Sequence, residues 1–360
     1  MSVPQIESVS VKTVLVPITP PHRTASGVVE KSPLVLIDIH CSAGLIGHAI
    51  LFTYTPAALK PVADLVMGFS SLIVNQPLNP GALNQLMLRR TRLIGSQGLV
   101  GMSIAGIDMA LWDALAKNRC LPLCHLLGGV ARPVKAYGGV GFDGAQETAR
   151  QAERWVKLGY KGVKAKIGYP DVADDLAVVR AMREAVGPNI DLMVDYNQSL
   201  SPTEAVQRLS VLDDEGLMWI EEPVLAHDYV NTAKVKDAIH TPIQSGENWW
   251  GPGDMQQALL ADASDFVMPD VMKIGGVTGW MKAVSLAEAA GKQVSSHLWP
   301  EVSAHLLAVG STSHRLEYVD WWNEIVQDPL LVVNGLTVID TDRYGSGITW
   351  NAAKVEKFQI

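Results

Sequence analysis

Apolar positions change their rhythm once along this chain. Before about residue 125 they first alternate or run together, at Val11 to Val16, Leu34 to Ile39 and Ile46 to Phe52, and predict strands. Ser42-Ala43-Gly44 predicts the turn between the last two. Helical spacing follows at Pro56 to Val74, Pro80 to Leu93 and Gly101 to Lys117, where Ile104, Ile107, Leu111 and Leu115 share one face. Strands followed by helices predict an α+β domain. Leu127-Gly128-Gly129 with Pro133 then breaks the pattern and marks a boundary.

Beyond it, short apolar runs and amphipathic helices take turns. Strands are predicted at Val134 to Tyr137, Gly162 to Lys166, Asp191 to Asp195, Leu217 to Glu221, Pro242 to Glu247, Asp265 to Asp270, Gln293 to His297 and Arg315 to Glu317. Helices are predicted between them, at Ala145 to Lys157, Asp174 to Val186, Ser201 to Leu212, Val230 to Ile239, Met255 to Leu260, Trp280 to Ala290 and Val302 to Ala308. Ser201-Pro202-Thr203-Glu204 sets a cap residue, a proline and an acidic first turn in order. Eight strands spaced this way predict an α/β fold, a TIM-like barrel whose reactive groups gather at the C-terminal strand ends. The tail from Trp321 has no room for another strand–helix unit. Leu330 to Ile339 predicts one more strand, and the tail is expected to pack back onto the N-terminal domain. The expected division is a capping domain over 1–128, a barrel over 129–320 and a returning segment over 321–360.

Composition narrows the class. The 360 residues are 48% hydrophobic and 18% charged, an ordinary globular balance with material for a large core. A net charge of −8 and a pI of 5.6 give no electrostatic footprint for nucleic acid or an acidic membrane. Cys41, Cys120 and Cys124 fit no zinc or disulfide framework. Met1 to Lys12 shows no signal-type apolar segment, and no run reads as a membrane span, so a cytoplasmic protein is expected.

The ionisable residues sit where a barrel would use them. Lys166, Asp195, Glu221, Glu247, Asp270, His297 and Glu317 close successive predicted strands, 20 to 29 residues apart. Lys164 and Lys166 share one face of their strand, because side chains two apart point the same way. Asp195, Glu221 and Glu247 would repel one another at a common mouth unless a cation lay between them. Oxygen ligands with positions left open suit Mg²⁺. Beside that charge and a second ammonium, Lys166 is expected to have a lowered pKa and to serve as a base. Asp270 and His297 close neighbouring strands, so the carboxylate is expected to fix the imidazole tautomer. Two bases flanking one carbon suit removal of a proton next to a carboxylate. The charge that develops needs the metal, Lys164 and a protonated Glu317.

Ala105-Gly106-Ile107-Asp108-Met109-Ala110-Leu111-Trp112-Asp113, with Lys117 and Leu126-Leu127-Gly128, resembles the first signature of the enolase superfamily. Leu192 to Asn197 with Ile220-Glu221-Glu222-Pro223 resembles the second, and the chain is similar to the mandelate racemase branch over nearly its whole length. The resemblance implies a (β/α)7β barrel under an α+β capping domain, Mg²⁺ as cofactor, a small carboxylate substrate and a homo-oligomer, an octamer. It implies Asp195, Glu221 and Glu247 as metal ligands. It implies Lys166 as base for the S enantiomer and His297 with Asp270 for the R. Lys164 and Glu317 would bind the carboxylate, and Asn197 the α-hydroxyl. Two departures stand out. Gly139 occupies a position where the branch has a serine, and the loop His22-Arg23-Thr24-Ala25-Ser26 is more polar than the branch's apolar lid. Val29, Phe52, Tyr54 and Leu298 would still line an apolar pocket. The expected activity is Mg²⁺-dependent racemisation of a 2-hydroxy acid, mandelate or a relative. The alternative is an acid-sugar dehydratase sharing the first step. A muconate-type cycloisomerase is disfavoured, since Asp270 stands where that branch has a lysine.

Overall fold

The computed structural model describes residues 3–24 and 27–360. The chain begins with an antiparallel sheet in the order β1-β2-β3, formed by β1 (Ile6–Thr24), β2 (Gly27–Cys41) and β3 (Leu45–Phe52). β1 runs on past its expected end at Val16, through Pro17, Pro20 and Pro21. It tolerates them because it is an edge strand, and the register with β2 shifts between Pro17 and His22. Helices α1 (Leu59–Ile73), α2 (Pro80–Arg90), α3 (Gly98–Asn118) and the single turn α4 (Leu123–Leu126) complete the first unit. Pro56–Ile73 and Gly98–Asn118 do have the length and hydropathy of a membrane span, against the expectation above. The second lies 72% buried in protein, on the sheet and against α1 and α2.

The barrel follows: β4 (Lys135–Val140), α5 (Gly144–Lys157), β5 (Gly162–Lys166), α6 (Val172–Val186), β6 (Asp191–Asp195), α7 (Pro202–Leu212), β7 (Trp219–Glu221) and α8 (Tyr229–Asp237). Then come β8 (Ile243–Ser245), α9 (Gly251–Leu260), β9 (Phe266–Val267), α10 (Gly276–Ala289), β10 (Gln293–Ser296), α11 (Pro300–Val309) and β11 (Ser313–Tyr318). All neighbouring strands pair in parallel, and β11 pairs with β4 to close the ring, as the strand–helix alternation predicts. Helix starts follow local chemistry: Ser201 caps α7 ahead of Pro202, and Asp171 caps α6.

Inward positions along the strands form layers. Tyr137, Met193 and Trp219 make a dry lower layer of their own, with the Tyr137 and Trp219 rings edge to face at 5.4 Å. Two residues further along β6 and β7 the same face carries Asp195 and Glu221, level with Lys166 of β5, while Lys164 pairs in register with Met193 and faces the Tyr137 ring. The tail departs from its single expected strand. Asn334-Gly335 turns with φ of 51° and 75° between β12 (Leu331–Val333) and β13 (Leu336–Val338). That hairpin joins the barrel at Lys135 of β4. Further on, Trp350 donates to Asp38 at 2.6 Å, and α12 (Ala352–Phe358) packs on β1.

Candidate active site

Several site residues lie just beyond the strands rather than at their last positions. Glu247, Asp270 and His297 follow β8, β9 and β10 by one to three residues, and a lone bridge joins Asp270 to His297. The backbone is strained here. Asn197, Gln198, Glu222, Leu298 and Trp299 all have positive φ, a conformation retained only where surroundings impose it. Inter-strand bonds impose it: Tyr196 N–H donates to Glu221 O at 3.1 Å and Gln198 N–H to Glu222 O at 2.7 Å. Gly246 is required as glycine, since a Cβ there would lie 2.8 Å from the Met268 backbone nitrogen. This close approach sets Glu247 at the mouth.

All the expected charges converge. Lys164 pairs with Glu221, with Glu317 at 2.8 Å and with Asp195 at 3.6 Å. Lys166 pairs with Asp195. Asp195 also accepts from Asn197 N–H at 2.7 Å, and Glu221 from Trp219 Nε1 at 3.0 Å. His297 Nδ1 lies 2.6 Å from Asp270 Oδ2, while Oδ1 of Asp270 accepts from Met272 N–H at 2.7 Å and Trp299 Nε1 at 3.0 Å. With Asp270 so held, His297 Nδ1 carries the hydrogen and Nε2 faces the cavity.

Electrostatics follow from this packing. Burial opposes the Lys164 charge, but Glu221 and Glu317 outweigh it and hold the ammonium well above its ordinary value. Burial likewise lowers Lys166, as does the repulsion of Lys164, yet Asp195, Glu247 and Glu221 together outweigh them and leave Lys166 raised. The lowered Lys166 expected from the sequence is thus not a product of protein groups alone; it calls for the divalent charge. Glu317 also departs from expectation. Against burial, Lys164 and His297 bring it down to about 2, so it is an ionised partner of Lys164 that accepts from Leu298 N–H at 3.1 Å. Burial works against a charged His297, but Glu247 and the bond to Asp270 raise it.

Asp195, Glu221 and Glu247 offer ligand oxygens within 4.8 Å of one another. Burial raises Glu221 well above the usual carboxylate range. Glu247 Oε2 is buried without a hydrogen bond among the described residues, although His297 Nε2 stands 3.3 Å away. Three buried carboxylates with an orphaned oxygen fit a hard divalent cation such as Mg²⁺.

Cap and barrel together wall a cavity of about 580 Å³. Phe52, Tyr54, Leu298, Val29 and Asn197, all expected here, line it with Lys166, Glu247 and His297. His22 and Thr24 join them, whereas Ala25 and Ser26 lie outside the described residues. Lys273, Asn248 and Trp321 also line it and were not anticipated. Lys273 Nζ donates to Asn248 at 2.7 Å and sits 4.7 Å over the Tyr54 ring. Its position three residues after Asp270, in a strand-end loop, was the available signal.

A closed α/β barrel with an antiparallel cap, three carboxylates at its mouth and a Lys-x-Lys strand facing an Asp–His pair defines a metal-dependent enzyme of the enolase superfamily. Residues 6–128 match the mandelate racemase/muconate lactonizing enzyme N-terminal domain, and residues 147–354 match the enolase C-terminal domain-like family. The chain belongs to the mandelate racemase/muconate lactonizing enzyme family. It is 32% identical to L-talarate/galactarate dehydratase of Salmonella typhimurium over 81% of its length and 73% of the relative's. It is 31% identical to D-galactarolactone cycloisomerase of Agrobacterium fabrum, over 94% and 95% of the two chains. An enolase from Bradyrhizobium, crystallised with magnesium and mandelic acid, superposes with a TM-score of 0.96 at 42% identity, covering 100% of this chain and 99% of that one.

Proposed function

We propose that this protein racemises a 2-hydroxy carboxylate, mandelate or a close relative, by moving the α-proton between two bases. The observation that carries this reading is the placement of Lys166 and His297 on the wall of one cavity. Their strands, β5 and β10, stand three places apart one way round the ring and five the other. Mg²⁺ held by Asp195, Glu221 and Glu247 would draw electron density from the substrate carboxylate and offset the pull of Asp195 on Lys166. Lys164 faces the same end and neutralises charge that builds on the carboxylate as the proton leaves. Asn197 orients the α-hydroxyl. Lys166 Nζ takes the α-proton of the S enantiomer, the C–H pair passes into the carboxyl group, and His297 Nε2 returns a proton on the other face. The reverse path starts at His297. Asp270 keeps Nε2 aimed at the substrate throughout.

The aromatic wall of Phe52, Tyr54 and Trp321 supports a mandelate-like side chain, as does the mandelic acid in the 42%-identical relative. His22 and Thr24 on the same cavity favour the second reading, dehydration of an acid sugar, the activity that names the Salmonella relative. Incubating the Mg²⁺-loaded enzyme with mandelate and a panel of acid sugars separates the two. Loss of optical rotation without keto-acid formation is expected. Keto acid from a polyhydroxy acid, with mandelate inert, replaces racemase by lyase.

A further inference from the structure

Two cavities meet at the barrel mouth, and His22 lines both. The smaller, about 60 Å³, has Lys164, Glu317, Gly139 and Trp321 in its wall. His22 reaches it from the cap, where it pairs across to Val29 of β2. Its ring rests on Trp321, with centroids 4.9 Å apart at 49°. Neither ring nitrogen has a hydrogen-bond partner among the described residues. His22 is half-buried, so its ring keeps access to whatever fills the two cavities and can offer it a donor. Burial and nearby Lys166 push this imidazole down to about 3, so near pH 7 it is neutral and has one N–H to give.

Across from His22, the barrel wall has one bare position, in register with Lys164. At Gly139 the backbone is bare, and a Cβ there would meet nothing within 4 Å. Its carbonyl is already pinned by Trp155 Nε1 at 3.0 Å. Building on the 2-hydroxy-acid reading above, the geometry points to His22 as the donor that completes carboxylate recognition. Braced by Trp321, its N–H reaches the carboxylate oxygen beside the open space at Gly139, and Lys164 holds the carboxylate from the barrel side. The cap then contributes a hydrogen bond to the reacting end of the substrate as well as a wall around its side chain.

Calorimetric titration of the Mg²⁺-loaded enzyme with mandelate and, separately, with galactarate tests this. A hydrogen bond to a charged group is strong enough that His22→Val should weaken carboxylate binding about ten-fold or more. His22→Asn keeps an N–H and should lose less. Gly139→Ser adds a hydroxyl in the open space. It should recover most of the loss in the His22→Val background and change little by itself. That recovery cannot come from a cap that has simply collapsed. Unchanged affinity in His22→Val overturns the assignment, as does an equal gain from Gly139→Ser in both backgrounds. A loss confined to galactarate would mean that His22 reads distal hydroxyls instead. If the unmodified enzyme exchanges the α-proton of its ligand in D₂O while His22→Val binds normally, this inference alone falls. If the unmodified enzyme takes neither ligand, the 2-hydroxy-acid reading falls and His22 with it.

Discussion

Two layers of the same barrel, two residues apart on β6 and β7, are built on opposite principles. The lower one is Tyr137, Met193 and Trp219, aromatic and dry. The upper one is Lys166, Asp195 and Glu221, ionisable and almost as deeply buried. Burying apolar surface stabilises the fold by about 25 cal/mol per Å². Burying carboxylates opposes it unless cations and donors offset the lost hydration. The upper layer meets that demand through Lys164 and Lys166, and it retains an orphaned oxygen on Glu247. Trp219 ties the layers together by donating to Glu221 at 3.0 Å. The floor can therefore be rigid for packing reasons alone, and that rigidity holds in place a charge cluster that would not hold itself.

The largest expected effect comes from the upper layer. His297→Asn should lower racemisation about 10²–10⁴-fold, the usual worth of an acid–base group. Lys166 remains, so the S enantiomer should still exchange its α-hydrogen in D₂O with retention, and the R enantiomer should not. Proton NMR of each pure enantiomer reads this. Exchange of both would mean a single mobile base.

Glu247→Gln removes a charged ligand without removing bulk. Mg²⁺ affinity, measured by calorimetry, should fall by more than the roughly 10–100-fold lost with an outer-shell partner. Full turnover in excess chelator would sink the metal assignment.

The lower layer should answer in stability first. Trp219→Ala empties the floor and should cost about 3–5 kcal/mol, seen as a lower denaturation midpoint. It should also weaken Mg²⁺ binding through the lost bond to Glu221. Unchanged metal affinity in a destabilised variant would separate the two layers.

A buried ionisable group away from the mouth sharpens the contrast. His305 on α11 accepts from Cys124 N–H at 3.2 Å through Nδ1, and burial pushes its pKa down to about 4. Its neutral form is the folded form. Its contribution is fully present above the unfolded value near 6.5 and drains away as pH falls from there towards 4, by roughly 3 kcal/mol at most. His305→Gln should flatten the pH dependence of unfolding over that window. An unaltered slope would show that other groups set it.

The upper layer was far more legible in the sequence than the lower. Ionisable residues at the ends of apolar strands break the local pattern, and their spacing of one strand–helix unit shows that they converge. Trp219 and Tyr137 break no pattern, and alternation alone does not tell which face of a short strand points into a barrel. The positions of Glu317 and Lys166 were legible in the spacing, but the charge of Glu317 was not. That depends on which ammonium lies nearest which carboxylate, a three-dimensional distance. Asn334-Gly335 did carry a hairpin signal, hidden inside a run read as one strand. Lys273 and Trp321 line the cavity through loop geometry that strand and helix periodicity does not reach.

The seam between cap and barrel has a consequence for how such a protein can change over generations. The charges at the mouth all come from barrel strands and the loops after them, whereas Phe52, Tyr54, Val29 and His22 come from the cap. A substitution on the cap alters what the pocket admits and leaves the proton-moving groups in place. Novel substrate choice is then reachable by single steps that keep a working reaction. A library confined to Val29, Phe52 and Tyr54 should yield variants with shifted preferences far more often than an equal library on the strand ends.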